Sequence, residues 1–215
     1  YSDVNSFLVQ AWKYLEYLEM IKSNIRIFAF TILGLAFVTY IILFLSTQDL
    51  ESVNFEKALS HISTTITINI IVWTIFINWA WKWKIFYPWL VPFPNISGEW
   101  DGTLKSNWKN KSLEPIPTEI KITQTFFNVQ IRIKTNESTS YSTAASFDID
   151  KDRGLQQLFY SYLNTPKSSV RERSEIHYGT TLLNFEGFKV EEIEGEYWTS
   201  RKTTGEIKLK RKNVA

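Results

Sequence analysis

Two stretches of the chain carry no charge at all: Ile27 to Leu45, between Arg26 and Asp49, and Ile62 to Trp81. At about 1.5 Å of rise per helical residue, each matches a hydrocarbon core of about 30 Å. The pattern predicts transmembrane helices over 27–45 and 62–81. Lys82 and Lys84, interleaved with Trp81, Trp83, Tyr87 and Trp89, form the basic and aromatic border of a membrane interface. Two buried helices of a soluble core would need neighbours on every side, and the rest of the chain reads as a separate strand-rich body. A cleaved signal peptide would have a shorter apolar core ending in small residues, unlike Ile41 to Leu45. Further upstream, Val4, Phe7, Leu8, Ala11, Trp12, Leu15 and Leu18 recur at helical spacing, predicting an amphipathic helix over 4–24 that lies in the interface or packs on a partner.

From Ile96 the period changes to alternation, after Pro88, Pro92 and Pro94 have punctuated the link. Ile120 and Ile122, then Phe127, Val129, Ile131 and Ile133, share one face, with Lys121, Thr123, Gln130, Arg132 and Lys134 on the other. Strands are expected near 97–106, 117–125, 127–135, 139–149, 155–163, 174–185, 188–200 and 204–211. Short turns rich in Asn, Asp, Gly and Pro join them, which favours antiparallel neighbours in chain order. Eight such strands avoid two exposed edges by closing. The expected fold class is an α+β membrane protein: a membrane region over 1–94, then an all-β, eight-stranded up-and-down antiparallel barrel over 95–215. A sandwich is the alternative.

The charged residues change this picture in two ways. Lys22 and Arg26 precede the first span and Lys82 and Lys84 follow the second, while the connection holds Asp49, Glu51, Glu56 and only Lys57, so both termini are expected in the cytoplasm. Lys plus Arg is 24 against 22 for Asp plus Glu, and a net charge of +2 gives no reason to expect a DNA or RNA polymer as partner. Zero Cys excludes disulfides, zinc fingers and thiol catalysis, and two histidines, His61 and His177, exclude a His-based metal cluster. None of the eight glycines falls in a phosphate-loop spacing. The run Glu191, Glu192, Glu194 and Glu196 reads as a solvated face, so no catalytic residues, no metal site and no cofactor are expected.

Binding chemistry is better represented. Tyr160 and Tyr162 share one face of a strand that ends at Asn164, His177 and Thr180 lie on the next, and Tyr197, Trp198 and then Arg201 follow. Rings of this kind stack on bases, amides and hydroxyls read base edges, and an arginine meets a phosphate bidentately. In the second span Ser63, Thr67, Thr74 and Asn78 are spaced so that, at about 100° per residue, they fall on one narrow stripe. Such side chains are favourable in hydrocarbon only beside a partner or water, so the stripe is expected to face another helix or an aqueous path, with packing against the first span as the alternative.

Two spans followed by Asn95-Ile96-Ser97-Gly98-Glu99-Trp100, then Tyr160 to Pro166, His177-Tyr178-Gly179-Thr180, Gly195 to Thr199 and Thr204-Gly205-Glu206-Ile207, resemble the two-transmembrane β-barrel effectors of CBASS, bacterial cyclic-oligonucleotide-based antiphage signalling. Gly98-Glu99-Trp100 is also similar to the Gly-x-Trp of lipocalin-like barrels, whose Trp closes one barrel end against a basic residue, here a role open to Arg211. The resemblance implies a cytoplasmic barrel that binds a cyclic dinucleotide from a partner nucleotidyltransferase, then forms a homo-oligomer and disrupts the inner membrane lipid bilayer. Placed on the motif positions, the ligand-binding residues would be Tyr160, Tyr162, Asn164, His177, Thr180, Tyr197, Trp198 and Arg201. The competing reading is a membrane-tethered, calycin-like carrier or adaptor whose barrel, lined by residues such as Ile120, Ile131 and Leu209, holds an apolar molecule or nothing.

Overall fold

The computed structural model describes residues 26–46, 55–107, 114–150 and 153–212. The chain divides into two compact units, Tyr1–Trp81 and Lys82–Ala215. In the first, α1 spans Arg26–Ser46 and α2 spans Phe55–Asn78, and both are long and apolar enough to cross a membrane. Hydroxyls inside α1 are satisfied by their own helix, Thr31 Oγ1 donating to Ile27 O (2.8 Å) and Thr39 Oγ1 to Leu35 O (2.7 Å). That internal bonding is what a polar group needs where no water is at hand. Phe28, early in α1, meets Trp73 edge-on at 5.0 Å and lies 6.5 Å from Phe76, late in α2, so the helices run antiparallel.

The uncharged run would carry the second span to Trp81, but α2 ends at Asn78. There the Asn78 amide turns back to donate to Thr74 O (2.8 Å), and a 3-10 turn, Ala80–Lys82, follows. The amphipathic helix expected over 4–24 lies outside the described residues.

The second unit is a closed barrel with strands in chain order: β1 Gly98–Ser106, β2 Ile116–Gln124, β3 Val129–Lys134, β4 Ser138–Asp150, β5 Leu155–Pro166, β6 His177–Asn184, β7 Glu192–Thr199 and β8 Thr204–Arg211. Every neighbour is antiparallel, and β8 returns to pair with β1 from Trp100↔Arg211 to Ser106↔Gly205. Alternation in the sequence becomes alternation in the wall: Ile120 and Ile122 of β2 and Val129, Ile131 and Ile133 of β3 are all buried, with their neighbours exposed. Phe127 departs from the expected face. It sits in the β2–β3 turn, where Thr125 N donates to Asn128 O (2.8 Å), and is 73% exposed. β6 and β7 also begin later than the alternation implies, at His177 and Glu192.

Up-and-down connectivity gives the barrel two chemically different ends. The incoming link and the β2–β3, β4–β5 and β6–β7 turns share one, the linker end; the other four connections share the far end. The linker half is solid, with Ile96, Trp100, Leu158, Leu183, Ile193 and Ile207 each at most 1% exposed. Gln124 fastens the link there, its Oε1 accepting from Ile96 N (2.8 Å) and its Nε2 donating to Pro94 O (3.1 Å). Tyr87 reaches the wall as well, its hydroxyl accepting from Gln156 Nε2 at 2.9 Å.

Arg211 closes this end over Trp100, its guanidinium carbon 4.4 Å from the ring centroid. Its Nε donates to Val190 O (2.9 Å), its Nη1 to Ser97 O (2.8 Å) and its Nη2 to Asn95 O (3.3 Å). Gly98, at φ +138°, takes a backbone conformation that a side chain would strain, and a Cβ there would come within 3.2 Å of Arg211 Nη1. Replacing Arg211 by Met should therefore destabilise the barrel by about 2–4 kcal/mol, since three carbonyls lose a charged donor and the indole loses its cation. Arg211→Lys should fall between the two, a point charge lacking the guanidinium fork. Chemical denaturation of the chain in detergent, followed by Trp fluorescence, measures both.

Candidate functional site: the polar far end of the barrel

Inward positions change character along the barrel. From Leu158 and Leu183 the lumen passes through Tyr160 and Thr181 to Tyr162, Asn164 and His177, because β5 and β6 pair Leu158↔Leu183, Tyr160↔Thr181 and Asn164↔His177. On the next strand Tyr197 is paired with Thr181 and Gly205, and the β7–β8 turn carries Arg201 just beyond it. Six of the eight expected ligand residues, Tyr160, Tyr162, Asn164, His177, Tyr197 and Arg201, therefore gather at the far end.

Thr180 and Trp198 do not join them. They are paired with each other on the outward set of positions, Trp198 is 43% exposed, and its ring lies 6.3 Å from Phe159, another exposed side chain. Period-two alternation is the reason: a residue adjacent in sequence to an inward tyrosine or glycine must point outward.

The cluster is held by a short hydrogen-bond chain. Ser140 Oγ donates to Asn164 Oδ1 at 2.9 Å, and Asn164 Nδ2 stands 3.4 Å from His177 Nε2. Arg201 Nη2 approaches the same imidazole nitrogen at 3.3 Å, and its Nη1 donates to Ser174 Oγ at 3.0 Å. His177 Nδ1 lies 2.9 Å from Glu175 O. A carbonyl beside Nδ1 and two donors beside Nε2 select one tautomer, neutral, protonated on Nδ1, with Nε2 accepting. Burial lowers the His177 pKa and the Arg201 charge lowers it further, while the bond to Glu175 O opposes both. Burial also lowers the Arg201 pKa, against Tyr162, Glu175 and Tyr197, yet a guanidinium stays charged at any physiological pH.

The tyrosines are set by glycines on the adjacent strands. A Cβ on Gly179 would come within 2.3 Å of the Tyr162 ring and hydroxyl, and one on Gly205 within 2.6 Å of the Tyr197 ring. Each ring thus lies against bare backbone. Tyr160 and Tyr162 follow each other along the lumen with ring centroids 6.0 Å apart. Burial pushes all three phenols above their ordinary value, so they act as neutral donors and stacking surfaces. The Tyr160 hydroxyl is sealed from solvent, and the Thr181 side chain beside it partly offsets the rise that burial causes. A cleft of about 180 Å³ at the linker end is lined by Tyr87, Pro88, Pro92, Ile149, Asp150, Gly154, Leu155 and Gln156, with Arg153 paired to Asp150 beside it.

Residues 91–211 match the Cap15 cyclic dinucleotide receptor domain. The chain belongs to this receptor family. It is 34% identical over 150 residues to CD-NTase-associated protein 15 of Staphylococcus schleiferi, covering 70% of this chain and 78% of the relative. It is 32% identical over 188 residues to CD-NTase-associated protein 15 of Yersinia aleksiciae, covering 82% and 86%. For a cyclic dinucleotide receptor, the far end offers a cation, three aromatic rings and a set of amide, imidazole and hydroxyl groups around one lumen.

Sequence reasoning missed several members of this site. Ser140 and Ser174 carry no distinguishing signal, since serine is at home on either face of a strand and in any loop. The roles of Gly179 and Gly205 come from register. On α2, the expected stripe of Ser63, Thr67, Thr74 and Asn78 is exposed throughout, with Thr67 Oγ1 donating to Ser63 O (3.0 Å) and Thr74 Oγ1 to Ile70 O (2.7 Å). The Asn78 amide bonds its own helix too, donating to Thr74 O. The buried polar line is instead His61, Thr65 and Asn69, at a spacing of four.

His177 is expected to be neutral at pH 7. Because its folded pKa lies below the ordinary 6.5, the unfolded chain binds the proton first as pH falls. The contribution is intact above pH 6.5 and is lost on acidification below it. Thermal unfolding between pH 7 and 5 should show that loss, and His177→Gln should flatten it. Gly179→Ala should cost about 1–3 kcal/mol by forcing the Tyr162 ring from the wall, measurable in the same melts.

Proposed function

We propose that the chain is a membrane-held receptor in which a cyclic dinucleotide enters the far end of the barrel and drives assembly of the chains. Tyr160, Tyr162 and Tyr197 supply stacking faces, Asn164 and His177 read base or ribose edges, and Arg201 meets a phosphate. Thr180 and Trp198 are left out of this site. The observation that carries the reading is the convergence of Arg201 with Tyr162, Tyr197 and His177 in one lumen, within a family named for this ligand class.

A cyclic dinucleotide carries two negative charges, so a half-buried cation among aromatic rings answers its chemistry. An apolar cargo would have to displace side chains that already fill the linker half. The site is one of recognition, and the reading includes no reaction, metal or cofactor.

The proposal continues into the membrane. With α1 and α2 crossing the bacterial inner membrane and both termini cytoplasmic, the barrel would face the compartment where a nucleotidyltransferase releases the messenger. Homo-oligomerisation would then bring several copies of α2 together along Ser63, Thr67, Thr74 and Asn78 and disrupt the bilayer. The exposure of that stripe leaves it available to a second copy.

Isothermal calorimetry of the full chain in detergent, against a panel of cyclic di- and trinucleotides, tests the receptor step. Heat is expected with at least one member, and none with any member of the panel would reject the reading. Arg201→Met should weaken that binding by on the order of 10- to 100-fold, the loss of a charge-assisted pair, while Thr180→Val should leave it unchanged. For the membrane step, changing Thr67, Thr74 and Asn78 to Val, Val and Leu should reduce ligand-triggered dye leakage from liposomes with no change in affinity. Undiminished leakage would remove the stripe and leave the receptor standing.

A further inference from the structure

The outer wall of the barrel is divided by charge. On β1, β2, β3 and β8 the outward positions include Glu99, Asp101, Glu119, Lys121, Lys208 and Lys210. Ion pairs span the strands, Lys134 with Glu119 (4.0 Å), Lys208 with Glu194 (2.8 Å) and Lys210 with Glu192 (3.8 Å). On the remaining side, no residue from Thr139 to Ser146 of β4, Phe159 to Thr165 of β5 or Tyr178 to Leu182 of β6 is charged. The register sets Tyr141, Leu163 and Tyr178 in one outward row, then Ser161, Thr180 and Trp198 in the next. Tyr178 is 65% exposed, Tyr141 55%, and Phe159 and Trp198 43% each.

Single exposed aromatics need no explanation, but a contiguous neutral strip rimmed by charge marks an interaction surface. We infer that this strip is the face through which a second copy of the chain packs, barrel wall against barrel wall. The inference rests on the assembly proposed above and gives it a location.

Two observations select a second copy as the occupant. The first is charge. Arg132 and Lys134 of β3 flank one long edge of the strip, and Glu194 and Glu196 of β7 flank the other. A two-fold axis running along the strands sets the basic edge of each copy against the acidic edge of its partner, and the neutral centre meets itself without repulsion.

The second is area. At about 3.4 Å per residue and about 4.8 Å per strand, the neutral stretch covers roughly 330 Å² before side-chain relief, and the flanking strands β3 and β7 bring it to roughly 550 Å², the size of a transient, ligand-driven contact between copies rather than of a permanent one. β5 runs down the middle of the strip, so its outward residues would lie closest to the axis and face their own copies.

A chain without cysteine allows a direct test. Full-length Ser161→Cys and Leu163→Cys chains in liposomes, given cyclic di-AMP, cyclic di-GMP or cyclic GMP–AMP and a mild oxidant, should yield disulfide-linked dimers with whichever nucleotide gives heat in calorimetry. Thr123→Cys, on the charged wall, should not. Leu163→Glu, on β5 beside the axis, should weaken ligand-driven assembly on the order of a hundredfold, the cost of like charges meeting in an interface, with calorimetric affinity unchanged. Leu163→Glu assembling like the parent chain would overturn the inference, as would cross-linking confined to Thr123→Cys. Quenching of a fluorophore on Ser161→Cys by brominated lipid, without dimer, would assign the strip to the bilayer and overturn it too. A parent chain that binds nucleotide yet stays monomeric sinks the assembly and the strip together; absence of heat identifies failure of the receptor reading instead.

Discussion

Pairing of β8 with β1 makes a strip of alternating residues into a container, and the chemistry of this protein depends on that closure. Once Trp100↔Arg211 and Ser106↔Gly205 are joined, the sheet has no free edge and each strand has one set of side chains committed to a shared interior. Antiparallel order then fixes which residues meet. Leu158 and Leu183 fall at one level, Tyr160 and Thr181 at the next, Asn164 and His177 at the last. Nothing else in the structure is needed to turn an apolar core gradually into a polar mouth.

Two arginines divide the work of the two ends, and their partners explain the division. Arg211 donates to three backbone carbonyls and lies over an indole, so its directional donors are already committed to structure. Arg201 has softer company: a serine hydroxyl at 3.0 Å and an imidazole nitrogen at 3.3 Å. A phosphate is a better acceptor than either. The neutral state of His177 belongs to this arrangement, because an imidazole with Nε2 facing a guanidinium is favoured only while that nitrogen accepts. Burial of the tyrosines keeps them neutral around Arg201, whose charge Glu175 supports from the β5–β6 connection.

Polar groups are distributed differently in the two units because their surroundings differ. In α1 and α2 the hydroxyls of Thr31, Thr39, Thr67 and Thr74 bond back to carbonyls of their own helices, and the amides of Asn69 and Asn78 do the same. The barrel wall instead spaces its charges across strands as exposed ion pairs, each worth little alone, and interrupts them with one neutral face. That interruption is a property of the folded wall. Its residues are scattered over β4, β5, β6 and the end of β7 and become a surface only when register aligns them.

Much of the architecture is readable from the chain alone. Uncharged runs of bilayer length, proline punctuation and the Ile120–Ile133 alternation determine two helices, a link and a strand-rich body, because each rests on local periodicity. The tyrosine and arginine chemistry is legible too, since residue type alone carries it. What local periodicity cannot contain is phase. Trp198 and Tyr197 look equally eligible as ligand contacts until strand register sends one outward and the other inward, and Phe127 looks like core until a turn lifts it out. Ser63, Thr67, Thr74 and Asn78 form a true stripe, yet it is exposed in the folded helical unit while the line of His61, Thr65 and Asn69 is buried. Gly179 matters only because Tyr162 of the adjoining strand lies across it. Sequence determined which elements form and which chemistry is available; pairing between distant strands and packing between helices decided which side chains share a space.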